Sequence, residues 1–146
     1  MVFGDDFRDI LQYFRDRRGT QVYNRKADVS PLVLKQYLPW VSLVEPVWDC
    51  DGRIVDARVT LHGSAVAAAY TDNTHKCVRE VHQPHVADRI IASMQYAADS
   101  KGAVIGVSEE RAVEPHVRLN ILYLPLSKDD EIINLFFSYV RLDPLD

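Results

Sequence analysis

Residues 116–142 read HVRLNILYLPLSKDDEIINLFFSYVRL, two apolar runs on either side of the polar stretch Ser127-Lys128-Asp129-Asp130. Runs of this length, rich in Val, Ile, Leu, Phe and Tyr and separated by a polar turn, predict two strands, His116–Leu126 and Ile132–Leu142, paired as a hairpin. In the second strand Ile132, Asn134, Phe136, Ser138 and Val140 share one face. Ile133, Leu135, Phe137, Tyr139 and Arg141 share the other, which is the bulkier and the expected core side. Asp143-Pro144 ends it. A strand over Val104–Arg111 comes before the pair, so the chain finishes on three successive strands.

Upstream, Gln83-Pro84 opens the longest helix. Val86, Ile90, Met94 and Ala97, flanked by Ala87, Ile91 and Ala98, give it a wide apolar face, and Gly102 stops it. A run of good helix formers after Ser64 predicts a short helix to Tyr70. Residues 71–83 carry no periodicity that assigns them. Before these, Asp49-Cys50-Asp51-Gly52 is a tight-turn signal between a strand Trp40–Trp48 and a strand Arg53–Leu61. The second of these alternates, with Val55, Ala57, Val59 and Leu61 expected inward and Asp56, Arg58 and Thr60 wet. Ser30-Pro31 predicts a short helix to Leu38, ended by Pro39. The first helix places Phe7, Ile10, Leu11 and Phe14 on one stripe, with Asp5 and Asp6 at its start and Arg15, Arg17, Arg18 and Gly19 at its end. Five strands arranged around a helical block define an α+β fold: an antiparallel sheet, helices on one face, and an N-terminal amphipathic helix.

A chain of 146 residues fits one domain, divided into an N-terminal helical cap, residues 1–38, and a core, residues 39–142. A net charge of −4 argues against nucleic acid, whose binders need clustered Lys and Arg. Arg15, Arg17, Arg18, Arg25 and Lys26 do cluster, and are read as a solvated helix end. The charged N-terminus is unlike a signal peptide, and no apolar run is long enough for a membrane span, so a cytoplasmic location is expected. Cys50 and Cys77 are expected as free thiols.

The order of elements resembles the PAS fold, and within it a group of single-domain PAS-like proteins of alphaproteobacterial type. Several segments carry the resemblance: Leu11-Gln12-Tyr13-Phe14-Arg15-Asp16-Arg17-Arg18-Gly19; Arg25-Lys26-Ala27-Asp28-Val29-Ser30-Pro31 with Tyr37-Leu38-Pro39-Trp40-Val41; Leu61-His62-Gly63-Ser64-Ala65; and Leu122-Tyr123-Leu124-Pro125-Leu126-Ser127. Together they cover roughly residues 7–142, and the chain departs from the group at His75-Lys76-Cys77-Val78. The resemblance implies a stand-alone sensory or regulatory domain that binds a small molecule and signals through a protein partner. The alternative is a ligand-free interaction or dimerisation module.

The residues themselves supply candidates for both readings. An apolar pocket would draw on Val59, Leu61, Val66, Ile90, Ile91, Met94, Leu119, Ile121 and Phe137, with Ser64, Tyr70 and Tyr123 as polar anchors. A homodimer would bury Phe7, Ile10, Leu11 and Phe14 against a twin helix. Haem would require an axial ligand from His62, His75, His82, His85 or His116, none of which sits in a haem motif. A metal site from His75, Cys77, His82 and His85 lacks a standard zinc spacing. Flavin chemistry would use a reactive Cys in its own motif, and Cys77 has other neighbours. Haem, flavin and metal are therefore not expected. The carboxylate pairs Asp5/Asp6, Glu109/Glu110 and Asp129/Asp130 fall at element ends, and with no catalytic motif present an enzyme is not expected.

Overall fold

The computed structural model describes residues 5–110 and 117–144. Its element order is α1 (Asp5–Arg18), β1 (Val41–Trp48), β2 (Ile54–His62), α2 (Ser64–Tyr70), α3 (Val78–Val81), α4 (Pro84–Ser100), β3 (Val104–Glu110), β4 (Val117–Leu126) and β5 (Leu135–Pro144). Two 3₁₀ turns, Lys26–Asp28 and Leu38–Trp40, lie between α1 and β1. The strands form one antiparallel sheet in the order β2-β1-β5-β4-β3, so the first and last strands of the chain meet at its centre. This is the α+β architecture anticipated above.

The sheet is covered on both sides, and alternation along the central strands sorts the core into two layers. Val41, Leu43, Leu122, Leu124, Phe137 and Tyr139 face α1, whereas Val44, Tyr123 and Phe136 face α4. Both faces of β5 are therefore buried from Leu135 to Val140, not the bulkier one alone. The strand begins at Leu135 because the preceding residues are drawn into a loop. Asp129 accepts from Ser127 Oγ and from the N–H groups of Glu131 and Ile132. These hydrogen bonds hold the Asp129 carboxyl down at about 2. Asp130 accepts from the N–H groups of Val22 and Tyr23. The Asp129/Asp130 pair is thus spent on fixing the loop.

The stripe of α1 is covered by its own sheet, which corrects the expectation of a helix-to-helix dimer. Phe7, Ile10 and Phe14 are buried, Leu11 packs beside them, and the Phe14 ring meets Phe137 edge-on at 4.8 Å. None of the three is free to face a twin. Asp6 anchors the start of the helix to β5, accepting from Tyr139 Oη and Arg141 Nη1 at 2.8 Å each. Arg141 in turn binds Asp143, which also accepts from Asn120.

Other departures are local. The stretch after Ser30 makes successive turns instead of a helix, although Ser30 Oγ does accept from the Val33 N–H as a cap. In this stretch Leu34 is buried and Tyr37 and Leu38 pack against the same core, while Leu32 is 85% exposed; a segment this short, closed by Pro39, gains too little to propagate as a helix. The unassigned segment 71–83 bridges back to β2 through Arg58 and Cys77 and then forms α3. At the end of α4 the left-handed residue is Lys101 (φ 56°), with the Gly102 N–H bonding Ala97. Arg111 and His116 lie outside the described residues.

Candidate functional site

Two irregularities in β2 decide where its side chains go. Val47 pairs with Asp56 but Trp48 with Ile54, and Leu43 pairs with Leu61 but Val44 with Val59, so Val55 and Thr60 are extra residues in the ladder. Each bulge turns the strand over. Ile54, Ala57 and Val59 are buried, Val55 is turned outward, and Leu61 is carried to the α1 side. The Thr60 hydroxyl donates to the Leu43 carbonyl and holds the second bulge. The expected inward pair of Val55 and Leu61 is corrected on this ground.

Leu61, beside Val41 and Leu43, forms the floor of an open groove of about 460 Å³. Its walls are Val29, Pro31, Leu38 and Pro39 from the turn-rich segment before β1, and its rim holds Lys26, Lys35 and the step His62-Gly63-Ser64. The volume falls within the range of small-molecule sites, and the lining combines an apolar floor with few polar groups. Leu61 is 45% exposed and is the apolar surface that an occupant would cover.

The walls are held by specific contacts. Buried Asn24 donates from Nδ2 to the Phe14 carbonyl and to Asp28, and Tyr13 Oη donates to the Asp28 carbonyl at 2.6 Å. At the rim, Gly63 N–H bonds the Val41 carbonyl, and its α-carbon lies against the backbone of Leu38 and Pro39. A Cβ at residue 63 would come 2.1 Å from the Leu38 oxygen. The glycine is required by this close approach, since its φ of −66° suits any residue.

His62 turns its ring onto Ser42, with Nδ1 2.7 Å from Oγ. A serine and a histidine in contact invite a nucleophilic reading. Ser42, however, is only 4% exposed, and its hydroxyl is shut away from any substrate. The pair ties β1 to β2. Burial pushes the His62 pKa below its ordinary value, with Asp72 opposing and His82 reinforcing, and burial also lowers that of His82. Both rings are thus held neutral in the fold but take protons more readily in the unfolded chain. Their contribution to stability is present above about pH 6.5, the unperturbed value, and is lost as the pH falls through the folded pKa values. Ring-proton NMR should show His62 titrating below the ordinary histidine value; a midpoint at or above that value would contradict the burial argument.

The residues selected from sequence do not converge. Ile91, Met94 and Tyr123 pack together in the layer beneath α4, while Phe137 lies on the opposite face of the sheet beneath α1. Tyr70 is exposed at the end of α2. Of the six, Ser64 alone reaches the groove. Val66 and Val59 are core, and Leu61 is the one member of the wider apolar set that lines the groove. The sequence reading missed Lys26, Lys35, Leu38 and Pro39, although two of the segments carrying the family resemblance contain three of them.

Among the described residues no group of three His, Cys, Asp or Glu side chains could hold a metal ion. Cys77 caps α3, its thiol pushed up chiefly by burial, and Cys50 is exposed in the β1–β2 turn; both are free. His85 is exposed in the first turn of α4. No helix is long and apolar enough to cross a membrane among the described residues.

Fold and site together define a small α+β domain with an open, apolar, lysine-rimmed groove on the N-terminal side of its sheet. No protein-family model matches the chain, and no curated protein matches it.

Proposed function

We propose that the protein is a regulatory binding domain of the PAS-like kind, which takes a small, largely apolar molecule in the groove over Leu61 and passes its state to a protein partner without catalysing a reaction. The observation that carries this reading is the groove itself: Leu61 exposed among buried leucine and valine, in a space of ligand size. Three separate pieces of chain meet there, the segment before β1, strand β1 itself, and the end of β2 with the start of α2. A molecule seated on Leu61 would touch all three and change how firmly they are held together, which is how a ligand shifts a population.

Native mass spectrometry of freshly purified protein tests for a retained molecule, and a thermal-shift screen with small apolar compounds tests for a stabilising one. Covering Leu61 removes apolar surface from water at about 25 cal/mol per Å². Leu61→Asn should therefore weaken any such compound roughly fivefold, while leaving the fold intact because the side chain is half exposed. A compound that stabilises wild type and variant equally binds elsewhere, and the groove then has no part in its recognition.

A further inference from the structure

The charge around the groove runs against the charge of the molecule. The chain carries a net −4, yet the charged residues that line the groove are Lys26 and Lys35, with no carboxylate among them. Neither lysine has an ion-pair partner among the described residues, and the same holds for Arg15, Arg17, Arg18 and Arg25. Two of these arginines adjoin the Lys26 end, Arg25 as its chain neighbour and Arg17 through Tyr13. Tyr13 binds the Asp28 carbonyl, and the Arg17 guanidinium lies 5.5 Å from the Tyr13 ring centroid. Asp28, the acidic group of that turn, is engaged by Asn24 Nδ2 and the Arg25 N–H. A cationic rim with uncommitted charge, set against an apolar floor, complements a molecule with an apolar body and a negative head.

From this we infer the class of ligand, an inference that rests on the binding role proposed for the groove: an apolar molecule bearing one carboxylate, its body over Leu61 and Leu43 and its head at the Lys26–Lys35 rim. The lysines act as exposed point charges, so their effect is modest and sensitive to salt. They discriminate among molecules whose apolar bodies are alike.

The test is calorimetric titration of the full chain, at low ionic strength and below micellar concentrations, with decanoate, decan-1-ol and decylamine. These share one apolar body and differ in head charge. Decanoate should bind about tenfold more tightly than decan-1-ol, as two exposed charge pairs would give, with decylamine the weakest and the spread shrinking in added salt. In the double variant Lys26→Glu/Lys35→Glu the order should reverse in favour of decylamine. Both side chains are exposed, so the fold should tolerate the change. Should that variant misfold, Lys26→Gln/Lys35→Gln should abolish the preference without reversing it. If the three compounds bind alike, or the variants keep the wild-type order, the head-group assignment is overturned while the groove remains a binding site. If none of them binds, the groove reading itself falls.

Discussion

Phe137→Ala should destabilise the protein by about 3–5 kcal/mol, the range for removing a large aromatic from a core. That would be a large share of the 5–15 kcal/mol typical of a domain. Phe137 stands in the central strand, paired with Leu43 on one side and Leu124 on the other, fully buried and against Phe14 of α1. The lost ring would open a cavity bounded by the sheet below and by a helix above. That helix is fastened at its start through Asp6 and cannot simply settle inward. Urea denaturation measures the effect. A loss below about 1.5 kcal/mol would mean that α1 repacks freely over the sheet and that its anchoring contributes little.

The second large effect is expected at Gly63. Gly63→Ala places a methyl group against the carbonyl oxygens of Leu38 and Pro39, at 2.1 and 2.4 Å, where no contact is sustainable. The obstacle is backbone, so relief requires moving either the end of β2 or the turn before β1, at a cost of roughly 2–4 kcal/mol. The same movement displaces two walls of the groove, so ligand affinity should drop together with the melting temperature. Thermal unfolding and ligand titration on one sample separate the two effects. A variant of unchanged stability would show that the Leu38–Trp40 turn is loosely held.

These two residues also show how unevenly the molecule could be read from its sequence. The stripe of α1, the Gly52 turn and the face of α4 were legible because each is a local pattern with one physical cause. Phe136 and Phe137 were harder: in a sheet covered on both sides, neighbouring residues are both buried, and alternation assigns neither to a layer. The groove was largely hidden. Its walls come from a segment with no periodicity, and its floor depends on a bulge that adds a residue to β2 without any glycine to mark it. The dimer expectation failed for a related reason, since an amphipathic helix announces that its stripe is covered but not by what.

The bulge at Thr60 has a consequence for how such a site is inherited. Leu61 reaches the groove because of how many residues separate it from Val59's register position, not because of what it is. With regular pairing Thr60 would stand opposite Leu43, and every side chain would be chemically unchanged, yet the leucine would lie on Val59's side of the sheet. Kinship in this region is therefore better judged by strand register than by residue identity, and a chain could lose or acquire the floor of this groove by losing or gaining the bulge alone.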